Sequence, residues 1–186
     1  MNAILDWKVI LRGWFYRLLS GIWFKRLGQR PRIAGKQRFY RPLMKISIGD
    51  DAMLGDNLFW QVARSSEVKI GDRFSLNANG LVVISSGLTI GDNVAIGEMV
   101  SLRDSEHKFH PDHGVRGQGF STAPIVIEDN CWIGRGAYIG PGSHIRRGSI
   151  VAAHSVVRGE FPAGSLIAGA PAKTKRSLLS ESGTPS

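Results

Sequence analysis

APIVIEDNCWIGRGAYIGPGSHIRRGSIVAAHSVV, residues 123–157, repeats an aliphatic β-branched residue every six positions: Ile127, Ile133, Ile139, Ile145, Val151 and Val157. A small residue follows each of the first five by four places, at Cys131, Ala137, Ser143, Ser149 and Ser155. A step of six fits neither a helix nor an alternating strand. It fits a parallel β-helix, in which each six-residue unit is a short strand and a corner. The aliphatic residue points inward, and Gly, Asp or Asn suits the corner. Three units make one triangular coil. Working outward, the same step joins Ile90, Ile96 and Leu102, then Ile70 and Leu76, then Ile48 and Leu54. The tripeptide IGD recurs at Ile48, Ile70 and Ile90, spaced by one coil plus a small insertion.

Composition bounds the rest. A chain of 186 residues suits one domain with an appendage, and a hydrophobic content of 42% suffices for a packed core. The single cysteine, Cys131, excludes an internal disulfide framework, so a reducing cytoplasm is the expected compartment. No apolar run has the length of a membrane span, and the start does not read as a signal peptide, because Lys8, Arg12 and Arg17 interrupt it. The net charge is +9, and residues 1–32 hold seven Lys or Arg against one acid, Asp6. Such a balance suits a nucleic acid, an anionic membrane or a phosphorylated ligand. No nucleic-acid-binding signature accompanies it, so nucleic acid is not expected.

Residues 3–27 read as one or two amphipathic helices carrying Trp7, Trp14 and Trp23. Aromatic and basic residues together suit a membrane interface. The other reading is a cap on the open end of the prism, which would otherwise expose apolar surface and strand edges. At the opposite end, residues 177–186 read as a tail.

The register also locates three clustered histidines, His107, His110 and His113. After Ile90, Ile96 and Leu102 the next inward slot falls on Lys108, which cannot sit unpaired in an apolar prism. The chain is therefore expected to leave the coil near His107 and to resume by Ile127. The stretch between, with Pro111, Gly114, Gly117, Gly119 and Pro124, has loop chemistry. His107 stands at the hinge, a sensible mount for a catalytic base. A metal site is disfavoured, since Pro111 and Gly114 argue against the helix that would bring His110 and His113 together. His144 and His154 read as surface corner residues.

The repeat, CWIG at 131–134, the histidine loop and AGAPAK at 168–173 together resemble the hexapeptide-repeat acyltransferases, over roughly residues 45–176. The nearest patterns are those of galactoside, maltose, xenobiotic and surface-polysaccharide acetyltransferases. The resemblance implies an all-β, left-handed parallel β-helix and a homotrimer with active sites between neighbouring prisms. It implies acetyl-CoA as donor and no metal. His107 is implied as general base, with His110 as the other candidate because some relatives carry the base directly before a proline. Asn79 is implied to contact the acceptor, although a corner residue in a left-handed turn accounts for it as well. Trp132, Arg135, Ala153, Arg158, Lys173 and Arg176 are implied to line the CoA path. Arg135 and Arg158 depart from the residues usual in the family, and each basic residue is also an ordinary solvated one.

The expected organisation is an N-terminal basic helical segment (1–45), a β-helix domain (46–168) with an extruded loop (108–124), and a C-terminal segment and tail (169–186). The expected activity is acetyl transfer from acetyl-CoA to a hydroxyl of a sugar or glycan, in surface-polysaccharide assembly, with peripheral contact at the inner membrane face. Two other readings stay open: an N-acetyltransferase for an amino sugar or antibiotic-like molecule, and a non-catalytic or zinc-bearing β-helix protein.

Overall fold

A computed structural model of the chain describes residues 7–40 and 45–179. Residues 3–6 of the expected helical segment and the tail from residue 180 lie outside the described residues. The described chain is a parallel β-helix with three faces. The first face holds Arg26–Leu27, Ile46–Ile48, Val68–Ile70, Leu88–Ile90, Ile125–Ile127, His144–Ile145 and Glu160–Phe161. The second runs from Arg32–Ile33 to Ser165–Gly169, and the third from Gln37–Phe39 to Val156–Val157.

The six-residue step is the inward ladder. Ile127, Ile133, Ile139, Ile145, Val151 and Val157 are each 0% exposed. The parallel register aligns Ile90 with Ile127 and Ile127 with Ile145, so like residues stack coil upon coil. The small residues Cys131, Ala137, Ser143, Ser149 and Ser155 are also buried. They fill the tight space beneath the corners, and the Ser143 hydroxyl bonds the carbonyls of Gly140 and Val157. The IGD aspartates form a second ladder. Asp50, Asp72 and Asp92 each accept from a backbone N–H one coil before, at Gln29, Asp50 and Asp72 respectively, and Asp129 accepts from Asp92. The residue that follows each takes a positive φ: Asp51, Arg73, Asn93 and Asn130. Asn and Asp tolerate this region best among non-glycine residues.

The solenoid begins earlier than residue 46. Leu27 and Ile33, six apart, are buried in a first coil whose strands pair with Ser47–Ile48, Met53–Leu54 and Leu58–Trp60. Among the described residues only Trp7–Leu18 (α1) and Ser20–Trp23 (α2) are helical. Phe24 is fully buried and Trp23 stacks on Phe39 at 5.1 Å, so the aromatic residues that resemble a helical stripe partly belong to the coil.

Helix α1 covers the open edge of that first coil. Gly13 lies against Pro31, where a Cβ would meet the Pro31 carbonyl oxygen at 1.8 Å. Arg12 donates to the carbonyls of Ile33 and Ala34, and the Gln37 N–H donates to Tyr16 Oη at 3.4 Å. The helix thus satisfies strand-edge groups that no preceding coil can pair. At the other end Ala172–Ser177 folds back antiparallel on Ser165–Gly169.

The loop departs three residues before the expected hinge, at Asp104. This carboxylate is 0% exposed and accepts from the N–H groups of Ser85, Ser86 and Gly87 at 2.7, 2.6 and 2.9 Å. The insertion is an antiparallel hairpin of Ser105–His107 with Phe120–Thr122, closed at its base by Ala123 N–H donating to the Asp104 carbonyl at 3.0 Å. Its regular part therefore begins within 105–107, ahead of the expected 108–124 span. Asp104→Ala is expected to cost about 2 kcal/mol in urea unfolding, because it removes three charge-assisted bonds made by a buried carboxylate. Asp104→Asn is expected to recover part of that. A loss below about 0.5 kcal/mol, the scatter of ordinary surface substitutions, would contradict the assignment.

Candidate active site

The hairpin sorts its side chains by alternation. Ser105 and His107 share one side, and Glu106 takes the other. Ser105 Oγ lies 3.4 Å from Ser85 Oγ, towards the N-terminal coils. Glu106 reaches the C-terminal coils, where Tyr138 Oη donates to Oε1 at 3.2 Å and Arg158 Nη1 donates to Oε2 at 2.8 Å. A second Arg158 nitrogen bonds Oε1, and the guanidinium stands 5.8 Å from the Tyr138 ring centre. The Arg158 hydrogen bonds hold the Glu106 carboxyl below the usual glutamate range. Burial pushes the Tyr138 phenol up, and the Glu106 charge adds to it. His107 is exposed, with its ring packed on Phe120 at 4.3 Å between centres. The imidazole is therefore open to a reactant while its strand is tied to the prism.

The other two loop histidines are separate from it. His110 and Gly114 close the hairpin tip through reciprocal backbone bonds of 3.0 and 2.8 Å. The rings of His110 and His113 stack at 4.8 Å, and the Asp112 N–H donates to His110 Nδ1 at 3.2 Å. Among the described residues no group of three or more His, Cys, Asp or Glu is arranged to hold a metal ion. His144 is half-buried, with Nε2 2.7 Å from Glu128 Oε1, so it belongs to a polar contact and not to the open surface. His154 is exposed at a positive-φ corner. Cys131 is buried and its thiol is pushed up chiefly by that burial, which leaves little nucleophilic thiolate.

A groove of about 530 Å³ runs along the edge between the second and third faces. Trp132, Ile150, Val151 and Leu166 give it an apolar wall, and Arg135 and Ala153 stand at the corner. Trp132 is 56% exposed, an unusual position for indole unless something covers it. Arg135 Nε lies 3.3 Å from Glu98 Oε1. Lys173 and Arg176 lie on the antiparallel strand beside this wall, with Arg176 in register with Leu166. Asn79 is on the same edge at a positive φ of 61°, and its Oδ1 accepts from Asn57 Nδ2 at 2.7 Å. The structure thus brings Trp132, Arg135 and Ala153 together, with Lys173 and Arg176 nearby. It leaves Arg158 on the other edge, bound to Glu106.

Sequence reasoning missed Glu106 and Tyr138, which with Arg158 pin the hairpin. The alternation of DSEH was a usable signal, since a residue next to an outward base must point back at the wall. It also missed a cleft of about 220 Å³ lined by Tyr40, Gln61, Arg64, Ile84 and Ser85. Ser85 joins this cleft to the Ser105 side of the hairpin, the side His107 shares.

Residues 124–159 match the profile of the bacterial transferase hexapeptide (six repeats). Over that stretch the chain carries the hexapeptide repeat of bacterial transferases, as the sequence resemblance implied. It is 32% identical over 135 residues to the galactoside O-acetyltransferase of Escherichia coli, covering 73% of this chain and 65% of that enzyme. The chain thus spans just under two thirds of that relative's length. A hexapeptide-repeat acetyltransferase from Vibrio cholerae, solved with acetyl-CoA, matches with a TM-score of 0.59 and 25% identity, covering 94% of this chain and 79% of the other. AntD, an N-acyltransferase from Bacillus cereus solved with dTDP and 3-hydroxybutyryl-CoA, shares the fold with a TM-score of 0.74 at 21% identity, covering 86% of each chain.

The Glu106 contact sets a pH dependence. Its folded-state carboxyl is held low, so the contact stabilises the hairpin fully above the ordinary value near 4.5 and is lost as pH falls through the lowered one. Hydrogen exchange across 105–122, corrected for intrinsic rates, is expected to quicken on descent from about pH 6 to about pH 3. In Glu106→Gln that pH-dependent step should vanish, with exchange fast throughout. A step of the same size in the variant would refute the assignment.

Proposed function

We propose that this chain is an acetyl-CoA-dependent O-acetyltransferase acting on a hydroxyl of a sugar or glycan, with His107 as general base. The observation that carries the reading is an exposed imidazole on a pinned hairpin, in a prism that also bears an apolar groove rimmed by cations. The groove fits a pantetheine arm along Trp132, Ile150, Val151 and Leu166, and Arg135, Lys173 and Arg176 suit the phosphates. When bound, acetyl-CoA supplies an acyl carbon to which the acceptor oxygen bonds as the carbon–sulfur bond breaks. His107 takes the hydroxyl proton onto a ring nitrogen and returns it to the departing sulfur, a task to which imidazole is suited. Phe120 holds the ring and Glu106 holds the strand. The cleft of Tyr40, Gln61, Arg64 and Ser85 offers the acceptor an aromatic ring, an amide, a cation and a hydroxyl, a set suited to a sugar.

The groove and the hairpin stand on different edges of one prism, with the third face between them. A neighbouring copy that sets its groove edge against the hairpin completes the site. Three such contacts close a ring, and a homotrimer is the proposed assembly. Arg158 and Asn79 would then meet their ligands across that junction. Surface-polysaccharide assembly is the proposed setting. The hydroxyl acceptor draws support from the galactoside O-acetyltransferase relatives, and the N-acyltransferase neighbour favours an amino-sugar acceptor as the second reading.

CoA-thiol release with hydroxyl-bearing and amino-bearing sugars distinguishes the two. His107→Ala is expected to lower turnover by about two to four orders of magnitude, with acetyl-CoA affinity little changed. His113→Ala should be nearly silent. Trp132→Ala should weaken acetyl-CoA binding about tenfold by loss of apolar contact. Full activity in His107→Ala would refute the base, and equal losses across His107, His110 and His113 with loss of bound zinc would favour a metal site. Analytical ultracentrifugation should find a trimer, and a monomer at working concentration would refute the shared site.

A further inference from the structure

Helix α1 is apolar on the face that its packing does not use. At about 100° per residue, Ile10, Trp14, Trp7, Leu18, Leu11 and Phe15 succeed one another around the side opposite Gly13. These six side chains are between 43% and 84% exposed, and Ile22 on α2 is 49% exposed. Arg17 and Lys8 stand at the two borders of this arc, each over the ring of a neighbouring tryptophan. No Asp or Glu lies in Trp7–Leu18. The inward side is spent on the first coil, through Gly13, Arg12 and Tyr16. The apolar arc therefore points away from the prism, along its axis.

We propose that this outer face of α1 seats the protein on an anionic lipid bilayer. Large contiguous apolar patches are rare on a free surface. Tryptophans with cations on both flanks match a helix lying in a lipid headgroup region, the rings at the boundary and the cations at lipid phosphates. Charge selects the lipid over a second copy of this face. An identical partner would set the cationic borders of the two arcs against one another, and Trp7–Leu18 supplies no Asp or Glu to pair with across such a contact. Anionic headgroups complement both borders. The contact is peripheral, since no helix among the described residues is long and apolar enough to cross a membrane. With coils about 4.8 Å apart and a helix about 10 Å thick, the hairpin leaves the prism roughly 25 Å from the bilayer surface. This seating does not depend on the acetyl-transfer reading.

The test is flotation of the full chain with vesicles of phosphatidylcholine alone and of phosphatidylcholine with phosphatidylglycerol. Binding is expected only where phosphatidylglycerol is present, and it should weaken as salt rises. Trp14→Glu with Leu18→Glu should lower vesicle affinity by roughly tenfold or more, through lost apolar insertion and added repulsion. Both residues are exposed, so the melting temperature and sedimentation coefficient should stay as in the wild type, as should acetyl transfer to a soluble acceptor. Arg17→Glu should weaken binding to a smaller extent. Equal partition to neutral vesicles, no binding to anionic ones, or unchanged binding by the double variant would overturn the proposal. So would a double variant that falls to a smaller assembly in solution, because the face would then be a contact between copies.

Discussion

Everything in this molecule depends on stacking like upon like at the spacing of adjacent strands. Ile90, Ile127 and Ile145 occupy one inward line, each about 4.8 Å from the next. That spacing sets what a coil can contain. The inward slot takes an aliphatic side chain, the slot beneath the corner takes a small one, and the corner takes a left-handed residue. Asp50, Asp72, Asp92 and Asp129 tie successive corners through backbone N–H groups, so the corners stay in line as well as the faces. Within the uninterrupted coils, little room remains inside for chemistry. Reactive or binding side chains must point outward, as Trp132 does between inward Cys131 and Ile133, or stand on a segment that leaves the coil.

The ladder also governs where a segment can leave. A departure from a face would break pairing with the strands of the coils on either side, whereas a departure at a corner interrupts only a turn. The hairpin leaves at a corner, and Asp104 repairs the gap by binding three N–H groups of the preceding coil. Glu106 then fastens the hairpin to two later coils through Tyr138 and Arg158. The outcome is an imidazole that is exposed yet fixed. On the proposed chemistry that combination matters, because a general base must meet its proton at hydrogen-bond distance without being buried.

The six-step was legible because nothing competes with it from Ile127 to Val157, where each inward slot holds Ile or Val. The first coil was not legible. Leu27 and Ile33 keep the step, but Trp23, Phe24 and four basic residues from Lys25 to Arg32 surround them and read as the continuation of an amphipathic helix. Local pattern cannot distinguish an aromatic that faces lipid from one that stacks on Phe39. The exit at Asp104 was missed for a different reason. Register shows that Lys108 cannot enter the core, yet it does not show which earlier residue ends the coil, and a buried carboxylate is legible only through the donors it meets. Arg158 has a contact that its place in the repeat does not reveal. It bonds Glu106, fifty-two residues earlier, which is brought near only by the insertion.

Capping a solenoid and exposing tryptophan are separate demands, and α1 meets them with separate residues. Gly13 allows the helix backbone to approach Pro31, Arg12 answers two open carbonyls, and Tyr16 answers an open N–H. These three account for the helix as a cap. Trp7, Leu11, Trp14 and Leu18 contribute nothing to that task, and charged residues there would serve the helix equally well and favour solubility. An exposed apolar arc bordered by cations is thus an addition to the fold and not a by-product of it. Its position adds a geometric constraint. The strands run around the prism and the coils stack along it, so a contact made at one end sets the height of every later coil. Lengthening the chain by one coil between α1 and Asp104 would lift His107 by about 4.8 Å without altering its surroundings. On the proposed seating, the repeat acts as a spacer between the bilayer under α1 and the residue that the hairpin presents.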